Sequence, residues 1–255
     1  MKNLVLFTFI MILCILHSCK DEKQPVLVDK QIVKTIVKEI PKKKIDNMIT
    51  KDFVLGKFNY TKHDAFEKVN ASHSSKTIYL NKNCYEAFKA MYEQAKEDGI
   101  NLKIISGTRN FYEQKSIWER KWKKYESLEP NVRALKILEY SSMPTSSRHH
   151  WGGTDMDLNN LNNRYFEKGE GLKIYNWLLK HAKAYGFKQV YTEKTHGRTG
   201  YNKEKWHWSY MPLAETYLEF YNANISYADI IDFKGFEQAQ ELDVIKYYVN
   251  GISKD

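Results

Sequence analysis

From residue 83 onward the apolar positions fall at helical spacing. Cys84, Phe88, Met91 and Ala95 form one stripe of a segment that Gly99 is placed to stop, the pattern of a helix with a single buried face. The period then changes. Residues 100–106 alternate, with Ile100, Leu102 and Ile104 on one side, which predicts a strand that delivers Ser106-Gly107-Thr108-Arg109 at its end. Asn110 and Glu113 form a cap-like pair opening a second helix, whose inner face would be Phe111, Gln114, Trp118 and Trp122. A shorter helix is predicted over 131–140, and a strong one over 172–185 that Gly186 stops. Strands are predicted at 187–192 and 206–210, and a last helical stretch at 236–249. Helices and short strands mix without regular β-α alternation and without an internal repeat. The expected class is α+β, with a small central antiparallel sheet flanked by helices.

The N-terminus follows a different logic. A positive start, Met1-Lys2-Asn3, precedes an almost wholly apolar run from Leu4 to Leu16, too short for a membrane span and suited to an export signal. Leu16-His17-Ser18-Cys19 resembles a bacterial lipoprotein cleavage box, with His17 an unusual occupant. Residues 1–18 are therefore expected to be a signal peptide and Cys19 the lipidated first residue of the mature chain. Residues 19–50 are rich in Lys, Val and Ile, with no Gly and no aromatic residue, and read as a tether. The folded domain is expected over 51–222, with a helical extension over 223–255 packing on it. Once Cys14 leaves with the signal and Cys19 carries lipid, Cys84 stands alone, so no disulfide is expected within the mature chain.

Composition narrows the partners. The formal charge is +9, but the lysines are dispersed, and no basic stripe interleaved with aromatics marks a nucleic-acid groove. An anionic polymer such as a cell wall suits this charge better. Eighteen Tyr and six Trp point to a well-built core and to aromatic surfaces near a polar ligand.

The candidate chemistry lies in three short stretches. Between Ser146 and Asp157 the chain carries two adjacent histidines, His149 and His150, then Gly152-Gly153, then Asp155 and Asp157. Forty-seven residues beyond Asp157 comes Glu204-Lys205-Trp206-His207. An enzymic zinc site takes three protein ligands from His, Asp, Glu or Cys and keeps one position open. The three-residue step from Glu204 to His207 lets an imidazole bind metal while a carboxylate stands by as a base. Arg109 supplies a cation. Each part also has a plain structural reading. The histidine pair could be hydrogen-bonded core, the aspartates a polar hairpin, Arg109 a surface ion pair, and Trp206 and Trp208 core residues of one strand face. Their joint occurrence favours the metal.

In order and spacing these stretches resemble the VanY-type zinc D-Ala-D-Ala carboxypeptidases and their D,D-dipeptidase relatives, over roughly residues 50–222. That family carries Ser-Gly-x-Arg, then Ser-x-His-x-x-Gly with Asp seven residues after the histidine, then Glu-x-Trp-His. This chain departs at one point, because Asp157 lies eight residues after His149 and seven after His150. Ser147-Arg148-His149 fits the Ser-x-His frame, which favours His149 as ligand. Ser147 and His149 would then share a strand face, Gly152-Gly153 would absorb the extra residue as a bulge, and His150 would pack on Trp151.

The resemblance implies a D,D-peptidase or hedgehog-like zinc fold. It implies Zn²⁺ held by His149 (or His150), Asp157 and His207, with Glu204 as proton acceptor and donor. Arg109 would stabilise charge developing at the scissile carbonyl, and Ser147, Arg109 and Trp206 would contact substrate. The implied reaction is hydrolysis of the terminal D-Ala-D-Ala bond of a peptidoglycan stem peptide by metal-activated water, at the cell envelope, on a chain tied to a bacterial membrane through Cys19. Alternatives on the same fold are an endopeptidase or dipeptidase cutting another bond, or a non-catalytic wall-binding lipoprotein. Glu204 argues against the last, since a binding module needs no base three residues before a ligand.

Overall fold

A computed structural model describes residues 49–254. The expected signal peptide, Cys19 and the tether up to residue 48 lie outside the described residues. In chain order the elements are α1 (Lys51–Val54), β1 (Phe66–Lys68), β2 (Tyr79–Asn81), α2 (Lys82–Glu97), β3 (Ile104–Ser106), α3 (Phe111–Lys124), α4 (Pro130–Leu138), β4 (Asp155–Leu158), α5 (Gly169–His181), β5 (Phe187–Lys188), β6 (His207–Tyr210), α6 (Met211–Asn224) and α7 (Gln238–Glu241). The arrangement is α+β. The central sheet is antiparallel with order β3-β4-β6-β5, and β1 and β2 form a separate antiparallel ribbon. No helix among the described residues is long and apolar enough to cross a membrane.

The periodic segments form as their patterns dictate. On α2, Cys84, Phe88, Met91 and Ala95 are all buried, each large apolar side chain contributing about 1.5–3 kcal/mol. The Cys84 thiol points at the Thr154 carbonyl and is free; burial pushes its pKa well up, so it is inert core. At the start of α3 the Asn110 side chain accepts from the Glu113 N–H and Glu113 accepts from the Asn110 N–H, a complete capping box. Gly186 ends the turn after α5 at φ +82°.

Two packed clusters result. The larger joins the sheet to α2, α5 and α6. The smaller gathers Trp118 and Trp122 of α3, Ile137 and Leu138 of α4, Tyr191 and Tyr201, and Ile230, Phe233 and Val244 of the C-terminal segment.

Four expectations change. The strand expected over 187–192 pairs only at Phe187–Lys188, because residues 189–191 turn away to hold Glu204. The helix expected over 236–249 is two short pieces, Gln238–Glu241 and a wide turn at Ile245–Val249. Asp243 breaks it at φ +48°, its carboxylate accepting from the Tyr227 hydroxyl at 2.5 Å. Residues 148–150 form a 3-10 turn, so Ser147 and His149 do not share a strand face. Gly152 and Gly153 sit in the turn before β4 at φ +55° and +69° rather than in a strand bulge. A Cβ on Gly152 would fall 2.5 Å from the Tyr217 ring, and one on Gly153 2.6 Å from the Asn81 nitrogen. Only glycine fits at either position.

Candidate metal centre and its cavity

Strand pairing builds the centre. In β4 and β6, Asp155 lies opposite Ser209, Met156 opposite Trp208, and Asp157 opposite His207. Side chains alternate across a strand. One face therefore carries Asp155, Asp157, His207 and Ser209, while Met156, Leu158, Trp208 and Tyr210 go to the core. His149 comes to the same place from the 3-10 turn, with its Nδ1–H donated to the Gly107 carbonyl at 2.8 Å. Its Nε2 lies 3.4 Å from Asp157 Oδ2, and His207 Nδ1 lies 3.1 Å from Asp157 Oδ1. One ligand atom from each of His149, Asp157 and His207 falls within 4.8 Å of the others, and all three residues are buried. Two imidazole nitrogens and a carboxylate oxygen are a donor set suited to zinc.

The groups behind these three are also in place. His207 Nε2–H donates to Asp155 Oδ1 at 3.2 Å, which leaves Nδ1 facing Asp157. Asp155 in turn receives Arg148 Nε at 3.2 Å, and Arg148 donates from Nη2 to Ser209 at 2.6 Å. Arg148 is 1% exposed and its guanidinium lies 4.7 Å over the Trp151 ring. Such partners fix the tautomer and orientation of a metal-binding histidine.

The charges fit a cation. Burial acts to raise both aspartates. For Asp155, Arg148 and His207 outweigh it, and for Asp157, His149 and His207 do, so both carboxyls stay well below the usual carboxylate range. Burial likewise acts to lower His207, but its bonds to Asp155 and Asp157 push it up to about 9. A proton on His207 thus occupies a position that the two carboxylates offer to positive charge. Metal binding would displace it. The His149 pKa is lowered by burial and by Arg109.

His150 goes elsewhere. Its Nδ1–H donates to the Arg109 carbonyl at 2.7 Å, and its Nε2 accepts the Thr145 N–H at 3.2 Å. With both nitrogens used and no exposed surface, burial pushes its pKa down to about 3. It is a core histidine against Gly56, and the group over Trp151 is Arg148.

A cavity of about 720 Å³ opens onto the centre, lined by His149, Asp157, His207, Glu204, Arg109 and Trp206 among others. Glu204 Oε2 is 3.8 Å from His207 Nδ1. Burial, aided by Asp157 and opposed by His207, Arg109 and Lys121, pushes its carboxyl up to about 8. The Glu204 backbone is held by Tyr191, whose carbonyl accepts its N–H, and by Gln189, whose side chain donates to its carbonyl. Arg109 Nη2 is 4.0 Å from Asp157 Oδ2, while Nη1 donates to Gln114 Oε1 at 2.9 Å. Gln114 donates onward to the Ser142 carbonyl. Trp206 packs 6.2 Å from Tyr140 on the cavity wall, whereas Trp208 is core. Ser147 is 1% exposed, behind the residues that line the cavity, and its Oγ finds no partner among the described residues.

Sequence reasoning passed over Arg148, Gln114, Lys121, Tyr191 and Tyr201. For Gln114 a signal existed, since a polar residue on the buried face of α3 needs a partner. The others carry none in a single sequence.

The family model described as VanY, D-alanyl-D-alanine carboxypeptidase, matches residues 77–213, more than half of the chain. The chain belongs to the VanY family. The matched span contains Arg109, the 147–157 stretch and Glu204-to-His207. Two curated relatives are similar. "Putative carboxypeptidase YodJ" of Bacillus subtilis (strain 168) is 30% identical over 136 residues, 52% of this chain and 46% of that protein. The D-alanyl-D-alanine carboxypeptidase of Enterococcus faecium is 27% identical over 157 residues, 61% of this chain and 45% of that protein. The chain thus spans less than half the length of either relative. Among solved structures, VanYB in complex with D-Alanine-D-Alanine is similar at TM-score 0.49 and 18% identity, covering 71% of this chain and 90% of that one. The LdcB LD-carboxypeptidase is similar at TM-score 0.48 and 21% identity, over 72% and 80%.

Proposed function

We propose that this VanY-family chain is a zinc-dependent carboxypeptidase that removes the terminal D-residue from peptidoglycan stem peptides. The observation that carries the reading is Glu204, buried in the cavity wall 3.8 Å from the imidazole nitrogen of His207 that faces Asp157 and His149. His149, Asp157 and His207 would hold the ion. When bound, zinc acts as a Lewis acid that polarises the scissile carbonyl and acidifies water.

The chain's own residues do the rest. Glu204 accepts the proton of the attacking water and returns it to the departing amine nitrogen; a cation held by His149, Asp157 and His207 would favour its carboxylate form over the protonated one that burial favours. Arg109, on the same wall and tied to Gln114, faces charge developing on the carbonyl oxygen. Trp206 and Tyr140 bound the peptide. No covalent intermediate is needed, which agrees with Cys84 being core.

The cavity's charge supports an acidic substrate. Arg109, Arg120, Lys121 and Arg164 line it against two carboxylates, Asp157 and Glu204. Neither Arg120 nor Lys121 forms an ion pair among the described residues. Lys121 Nζ donates to the Ser141 hydroxyl, and the Lys121 pKa is lowered by burial. A free terminal carboxylate is the group this excess of cations would attract. The wall of a bacterial envelope is the matching location. With Cys19 lipidated, the chain would be held at the membrane beside its substrate.

The test is to load the chain with one zinc equivalent, add a stem pentapeptide ending in D-Ala-D-Ala, and follow product masses. Loss of one alanine is the expected outcome. A cut elsewhere in the stem would replace the carboxypeptidase with an endopeptidase or dipeptidase. No cut by a zinc-loaded chain would overturn the enzymatic reading.

A further inference from the structure

The segment beyond α6 lies past the family match and contributes no residue to the cavity lining, yet it is sewn to the loop that carries the cavity's far wall. Ser253 N–H donates to the Val190 carbonyl at 2.8 Å, and Thr199 Oγ1 donates to the Tyr247 carbonyl at 2.9 Å. Arg198, 9% exposed, donates to the carbonyls of Thr192, Thr199, Tyr201 and Gly251. At Gly200 the two backbones approach so closely that a Cβ would stand 2.4 Å from the Tyr247 oxygen.

A stack of rings continues inward from this seam. Tyr248 lies 5.1 Å from Tyr201 edge to face, Tyr201 5.0 Å from Tyr191, and Tyr191 4.7 Å from the imidazole of His207. Tyr191 and Tyr201 are 4% and 2% exposed. The carbonyl of Tyr191 also accepts the N–H of Glu204.

We propose that residues 244–253 are a positioning brace for the metal centre. Through Tyr248, Tyr201 and Tyr191 they fix the plane of the His207 ring and the height of Glu204 without touching substrate. The proposal rests on the reading of His207 as a metal ligand only for its functional consequence. The physical claim, that the tail sets the His207 ring, stands on the stack alone. Close packing transmits small displacements along contiguous side chains, and aromatic pairs have preferred geometries that resist reorientation.

The experiment uses the full chain, metal-free and zinc-loaded, in three variants. Tyr248→Ala removes the outermost ring, Tyr248→Phe keeps it, and Phe233→Ala is a control in the same cluster. Phe233 packs on Trp118 and Phe236 rather than on the stack. Two readouts are taken well below each variant's melting temperature: the ring-proton NMR shifts of His207, assigned with His207→Gln, and the zinc Kd from chelator competition. Tyr248→Ala should move the His207 resonances and weaken zinc by about tenfold, the low end for groups behind a metal ligand. Tyr248→Phe should match the parent, and Phe233→Ala should lower the melting temperature while leaving the His207 shifts in place. Unmoved His207 resonances in Tyr248→Ala, or equal shifts in Phe233→Ala, would overturn the brace. Failure of the parent to cleave the pentapeptide bears on the proposed reaction and leaves the NMR comparison intact.

Discussion

The two walls of the cavity are made by different means. One is the face of β4 and β6, where Asp155, Asp157, His207 and Ser209 are set in register by ladder hydrogen bonds. The other is lined from α3, residues 140–142 and the 190–204 loop that carries Glu204, with α4 and the tail packed behind it; its positions depend on ring stacking, side-chain bonds to carbonyls, and the Arg109–Gln114–Ser142 chain. A ladder fixes side-chain positions through the backbone itself, whereas the second wall is only as firm as the packing behind it. The first wall suits chemistry that fails with small displacements. The second brings Glu204 and Arg109 up to it, beside substrate contacts that can be tuned.

Breaking the metal centre on the first wall, or the Glu204 that faces it from the second, should give the largest effects. His207→Ala should lose both zinc and turnover, measured as metal content after desalting and product formed from the pentapeptide. Glu204→Gln should separate the two, retaining one zinc per chain while the rate falls by roughly 10²–10⁴. A Glu204→Gln chain that cleaves at the parent rate would remove the base from the scheme.

One step back from the ligands, Arg148→Met tests the buried pair behind His207. It takes the guanidinium from buried Asp155, which keeps only His207 and the Thr154 hydroxyl, so a stability loss approaching about 3–5 kcal/mol is expected in denaturant titrations, and zinc should bind about 10–100-fold more weakly. The neighbouring histidines sharpen the point. His149→Ala should abolish zinc binding, whereas His150→Ala should keep it and lose about 2 kcal/mol or more of stability, from the backbone groups of Arg109 and Thr145 left without partners.

Elsewhere on the second wall the effects should be smaller and of another kind. Lys121→Gln should raise KM for a peptide with a free terminal carboxylate by about tenfold, the scale of one charge-assisted hydrogen bond, with kcat little changed. A fall in kcat at constant KM would mean that Lys121 acts on Glu204 instead of on the substrate.

Much of the first wall was legible in one dimension. Asp155-Met156-Asp157-Leu158 and His207-Trp208-Ser209-Tyr210 alternate polar and apolar, so their polar members had to share a face if the two strands paired. The helical stripe of α2 and the capping box of α3 were equally plain, because periodicity and caps are local. Apart from Glu204, Arg109 and the cap of α3, the second wall was not legible. Nothing near Tyr248 in the chain announces that its ring meets Tyr201, and Arg148 beside two histidines gives no hint that it pairs with Asp155.

The sequence by itself determined α2, α3, α4 and α5, the strand that leads into Arg109, the donor types offered to the centre and the glycine pair before β4. Only the tertiary structure placed His149, rather than His150, beside Asp157 and His207. That choice hangs on which ring meets the Gly107 carbonyl beside Asp157 and which meets the Arg109 carbonyl and the Thr145 N–H. Side-chain identity is the same for both, and their positions differ by a single residue. Their hydrogen-bond partners come from chain segments up to 42 residues away, and contacts at that range are set by packing rather than by local pattern.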